Sequence, residues 1–146
     1  MHRSTILAVQ TAIALLVATP AASQSTNDFV RTADGMTIYF GVLPGAMVKG
    51  HAKMRSGAPN EYHVVVAIYE AATGARVSDA SVTAQMSGLA LAGATQSLER
   101  MEIAGTITYG GFFRLPGRDL YTVKVAIERT GSTRPVTAEF AYDLRR

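Results

Sequence analysis

Beyond His2 the sequence holds two histidines, His51 and His63, with Met54 between them. Imidazole binds copper and zinc, and thioether sulfur suits Cu(I), so these residue types together are equipped to hold one soft metal ion. Their spacing supports that chemistry. His51 and His63 lie equally far from Gly57, so a hairpin folded about Gly57, with Met47 to Met54 on one arm and Glu61 to Tyr69 on the other, sets the two rings opposite each other. Directly opposed Cβ atoms on such a ribbon stand about 5 Å apart, close enough for both rings to reach one ion. The expected ligands are therefore His51 and His63 with Met54 or Met47, and the expected metal is copper. Met36 and Met101 are further sulfur donors if the fold brings one near. Two plainer readings compete. A register slip of one residue turns the rings to opposite faces, and methionines in small β domains more often fill irregular gaps in a core.

Other chemistries find less support. The chain has no cysteine, which removes disulfides, thiolate metal sites, cysteine nucleophiles and a lipidated cysteine anchor. No Gly-x-Ser-x-Gly elbow and no His-x-x-x-His pair occurs. The carboxylates Glu61, Glu70, Asp79, Glu99, Glu102 and Asp119 mostly stand beside turns or alternate outward, as solvated charges do. The expectation is a protein that binds and does not catalyse. Tyr109-Gly110-Gly111-Phe112-Phe113 is the remaining cluster. Its rings could form a ligand shelf or a docking patch, but burial of Phe112 or Phe113 with a bend at the glycines is the favoured reading.

The elements that must position these residues are strands. Ala80, Val82, Ala84 and Met86 alternate with Ser81, Thr83 and Gln85, and the same period of two runs through Tyr121 to Glu128 and Val136 to Tyr142. Val64 to Ile68 has no polar face, which predicts a central strand covered on both sides. Further strands are expected over Met36 to Val42, over Met47 to Met54 and in a divided region from Leu98 to Leu115. Gly88 to Gln96 reads as a loop or one helical turn. Pro44-Gly45, Ser56-Gly57-Ala58-Pro59, Thr73-Gly74, Gly110-Gly111, Pro116-Gly117 and Gly131-Ser132 punctuate the runs. The predicted fold class is all-β, an immunoglobulin-like antiparallel sandwich of about seven strands.

Ahead of it, the charged start Met1 to Thr5, the apolar run Ile6 to Ala18 and the small residues Ala21-Ala22-Ser23 read as a signal peptide over 1–23, leaving one domain over 24–146. Nothing after the leader approaches the roughly 20 apolar residues that span a bilayer. Export without cysteines points to the periplasm, with extracellular release as the lesser option. The 14 basic side chains against 11 acidic ones are scattered along the chain and form no stripe, and nucleic-acid binding needs them concentrated.

Two segments carry a resemblance. Thr73 to Val82, a turn and a small residue before a strand, resembles transthyretin-like and other immunoglobulin-like modules, and Pro116-Gly117-Arg118-Asp119-Leu120-Tyr121-Thr122-Val123 resembles the approach to a late strand in the same folds. With the leader, they make the chain similar to small exported sandwiches of the YtkA-like and CopC-like groups, some of which handle copper. The residues give physical reasons of their own: Gly74 permits the positive φ that a tight connection between Tyr69 and Val77 needs, and Pro116-Gly117 pre-set a turn so that Tyr121 enters its strand with its ring to the core and its hydroxyl near the edge. The resemblance also marks a departure. CopC-like proteins hold copper at an N-terminal histidine-led site and at His/Met clusters, whereas Gln24 would begin the mature chain here with no histidine close behind, so a terminal site is not supported. The expected function is copper binding or metal trafficking in the periplasm. The alternative is an interaction or structural module of the cell envelope that docks a protein partner and binds no metal.

Overall fold

The computed structural model describes residues 29–48 and 58–145. The leader over 1–23, His51 and Met54 lie outside the described residues, as does most of the strand expected over Met47 to Met54.

Eight antiparallel strands form the described fold: β1 (Val30–Ala33), β2 (Met36–Pro44), β3 (Glu61–Glu70), β4 (Ala80–Ser87), β5 (Thr95–Ile103), β6 (Thr106–Arg114), β7 (Leu120–Arg129) and β8 (Val136–Asp143). They lie in the order β1-β2-β3-β6-β5-β4-β7-β8. β5 joins two layers. Its first half pairs with β4, as in Val82 with Leu98, and its second half pairs with β6, as in Met101 with Thr108. The result is the expected all-β sandwich, with one strand more than the sequence suggested.

Period-two alternation places the core between the layers. Ile38, Phe40, Val64, Val66, Ile68, Tyr109 and Phe113 come from one side, and Val82, Ala84, Met86, Tyr121, Val123, Val125, Ile127 and Phe140 from the other, all buried. Phe40 stacks on Phe140 with centroids 4.8 Å apart, tying the layers together. Met36, 4% exposed, belongs to this core, so it is not a ligand in reserve. At the far edges Arg31 Nε of β1 donates to the Glu139 carbonyl of β8 at 3.0 Å, which nearly closes the sheet.

Two turn expectations hold and one element is corrected. Gly74 has φ +70° in the connection after β3. The Tyr121 ring is buried, and its hydroxyl donates to the Gly117 carbonyl at 2.7 Å, fixing the chain just before β7. Met47, however, is not in a strand. It ends a short 3-10 turn, Gly45–Met47, and is 71% exposed. Pro44 and Gly45 turn the chain out of β2 here, and a Cβ on Gly45 would stand 2.8 Å from the Glu61 carbonyl oxygen, so only glycine fits this close crossing of β3.

Candidate metal site

His63 stands on β3, the strand flanked by β2 and β6. Val64, Val66 and Ile68 point to the core, so His63, Val65 and Ala67 take the outer face. The expected pairing with His51 does not fill the ladder beside His63. The places opposite His63 are filled by Leu43 of β2 on one side and Phe112 of β6 on the other. The early end of β3 pairs with Pro44 and Leu43 in preference to any arm ending at Met54, because β2 runs unbroken from Met36 to Pro44 and takes the whole ladder.

An outer-face histidine would ordinarily be solvated, yet His63 is 2% exposed. Its neighbours explain the burial. Phe112 lies against the imidazole with ring centroids 4.6 Å apart, tilted by 36°. On the next rung Gly110 pairs with Val65 of β3 and with Glu99 of β5, and beyond it Met101 pairs with Thr108. Gly110 lacks the side chain that would separate these rungs, so His63 and Met101 lean over it from opposite directions. A Cβ added there would stand 2.3 Å from Met101 Cε, 2.8 Å from His63 Nε2 and 3.0 Å from His63 Cε1. Those separations are shorter than real Cβ contacts, so the room above Gly110 is used by an imidazole nitrogen and by the methyl one bond from a thioether sulfur.

A cavity of about 170 Å³ opens beside this point, lined by His63, Gln96, Ser97, Glu99, Gly110 and Phe112 among others. Its wall is mixed. Phe112 supplies an aromatic side, His63 a nitrogen ligand, and Glu99, on the Gly110 rung, a carboxylate at the exposed rim. Met101, 8% exposed, lies directly behind. An imidazole nitrogen and the methyl end of a thioether therefore approach each other over a glycine, and both parent side chains are of types that suit copper. Among the described residues no group of three or more His, Asp or Glu side chains gathers at one point.

The sequence pointed to His63 and named Met101 only as a further sulfur. The structure joins these two and leaves Met47 exposed at the outgoing end of β2. The signal that identifies the pair is Gly110. The aromatic segment divides by face, with Tyr109 and Phe113 in the core as expected for one of the two phenylalanines, and Phe112 outside against His63. The expected bend at Gly110-Gly111 does not occur, since pairing with β3 continues in register through both glycines.

No protein-family model and no curated protein matches the chain. Solved structures do. A DUF4426 family protein of Pseudomonas aeruginosa is similar with a TM-score of 0.58 at 20% identity, over 78% of this chain and 94% of that one. A copper-bound variant of FetP from uropathogenic Escherichia coli gives 0.59 at 14% identity, over 78% and 92%. The copper-reconstituted P19 protein of Campylobacter jejuni gives 0.61 at 12% identity, over 78% and 91%. At these identities the likeness establishes a shared small β fold, in keeping with the CopC-like resemblance, and leaves the chemistry to the residues.

Proposed function

We propose that the chain is an exported, periplasmic binding protein, without catalytic activity, that takes up a single copper ion at the pocket over Gly110 for binding or trafficking. The carrying observation is the convergence of His63 Nε2 and the Met101 thioether terminus on the space that Gly110 leaves. His63 would supply nitrogen and Met101 sulfur, while Glu99 would bring a counter-charge at the rim. Bound copper would supply a soft acceptor for both donors. Copper in the similar FetP and P19 structures adds support for the metal. His51, Met54 and Met47 stay in the proposal as additional ligands from the β2–β3 connection. The signal peptide over 1–23 and the domain over 24–146 complete the reading.

Metal analysis of protein purified from the periplasm tests it. Near-stoichiometric copper is expected in the natural chain, and none in a His51→Ala, His63→Ala double variant that still melts cooperatively. Copper retained in full by the double variant would remove both histidines from the site. A second reading, an envelope interaction module without metal, draws on Tyr39, Leu43 and Met47, three large apolar side chains exposed on or beside β2. It predicts no copper in the purified protein and recovery of one envelope protein in a pull-down, lost in a Tyr39→Ser, Leu43→Ser variant.

A further inference from the structure

We infer that a groove on the outer face of β2 and β3 binds a neutral sugar, one pyranose unit of an oligosaccharide. The groove lies on the β2 side of β3, its lining shares no residue with the pocket over Gly110, and the inference does not rest on the copper reading. Thr37 pairs with Tyr69 and Tyr39 with Ala67, so these four side chains stand on one face. The Tyr39 and Tyr69 rings meet nearly at right angles, with centroids 5.5 Å apart and 82° between their planes, and so form a corner. Ala67, Ala71 and Gly74 are too small to fill it, which leaves an open groove of about 580 Å³. That volume is ordinary for a small-molecule site.

Charge decides the class of ligand. The Arg76 guanidinium lies over the Tyr69 ring, 4.1 Å from its centroid, and two of its nitrogens are buried without an acceptor among the described residues. A cation entering the corner would be repelled by that uncompensated charge. Glu70 lines the groove but is already paired through Oε1 with Arg129, so it is a weak counter-charge for a cation and still an unfavourable neighbour for an anion. The ligand that satisfies both constraints is uncharged. A wholly apolar molecule fits no better, because the same groove carries the hydroxyls of Thr37, Tyr39 and Tyr69 and the remaining oxygen of Glu70. A pyranose has C–H bonds over one face, which suit an aromatic ring, and hydroxyls around its rim, which donate to a carboxylate oxygen and exchange hydrogen bonds with other hydroxyls. Arg76 takes one face of Tyr69, so the Tyr39 ring, 46% exposed, is the platform on which the sugar stacks.

The test is a titration of the isotope-labelled exported protein followed by its amide chemical shifts, with maltotetraose and chitotetraose as neutral sugars, tetraproline as an uncharged peptide and choline as a cation. At least one sugar is expected to bind with a Kd of about 1 mM, the weak affinity of an open groove that buries part of its ligand, and to shift Thr37, Tyr39 and Tyr69. Tyr39→Ala should weaken binding by about fivefold or more, and Tyr39→Phe, which keeps the ring, should weaken it less. Tyr39 is exposed, so both variants should melt as the natural chain does. Absence of sugar-induced shifts up to about 20 mM, shifts confined to other residues, tighter binding of choline or tetraproline, or equal affinity in the natural chain and Tyr39→Ala would overturn the assignment. Copper content enters none of these outcomes, so the copper reading stands or falls separately.

Discussion

At the residue scale the site depends on a side chain that is missing. Gly110→Ala would put a methyl where His63 and Met101 now meet. The Met101 end is flexible and can move, whereas His63 is held by Phe112, so the fold should survive with a loss of about 1–2 kcal/mol from overpacking. Copper affinity should fall by about tenfold or more, a loss of about 1.4 kcal/mol or more, because a ligand is displaced. Urea denaturation and a copper titration on the same variant measure the two effects, and an unchanged affinity would detach Gly110 from the site. Tyr121→Phe is the control elsewhere. It removes the hydroxyl bond to the Gly117 carbonyl and should cost about 1 kcal/mol in urea without touching copper.

At the scale of elements, β5 matters most, since its halves belong to different layers and its second half carries Glu99 and Met101. Its register against β6 is set by the two-residue turn at Ala104 and Gly105, with φ of +49° and +73°. Such a turn needs left-handed backbone at both central positions, which glycine takes without strain. Gly105→Val should destabilise the protein by about 1 kcal/mol or more, read as an earlier urea midpoint. It should also weaken copper binding, because Met101 reaches the site only in this register.

The strands with clean alternation, β4, β7 and β8, were legible in the sequence because one face is buried and the other wet. β1 was not. Four residues give too short a pattern, although Asp34-Gly35 just after it is a hairpin signal of the same kind as Ala104-Gly105, with φ of +44° and +73°. The metal pair was half legible for a related reason. His63 announces itself by type, but its true neighbours follow from the β3–β6 pairing, a non-consecutive contact that alternation cannot reveal. The arithmetic about Gly57 assumed that β3 pairs with the residues just before it, while the ladder is filled by Met36 to Pro44.

For the whole molecule, the open seam between the layers gives a pH dependence. Tyr142 of β8 meets Tyr62 of β3 edge to face across it, centroids 6.3 Å apart. Burial pushes the Tyr142 phenol above its usual value of 10.0, and the neighbouring Tyr62 charge adds to the rise. The folded state therefore holds this proton more tightly than the unfolded one. Its contribution is complete below pH 10 and is lost as pH climbs through the raised value. Urea midpoints should accordingly fall above pH 10, and Tyr142→Phe should flatten that fall. At the opposite end of β3, Arg129 of β7 pairs with Glu70 and with Asp79, and these partners raise its pKa. The pairs are exposed, so salt should weaken them with little effect on stability.

These scales converge on one side chain, Met101, whose methyl end and His63 Nε2 both lie over Gly110, and whose sulfur is the proposed ligand. X-ray absorption at the copper edge of the loaded protein reports that atom directly. A shell containing one sulfur and an imidazole nitrogen is predicted, with the sulfur absent in Met101→Leu. A shell of nitrogen and oxygen alone, the same in the natural chain and in Met101→Leu, would contradict the account.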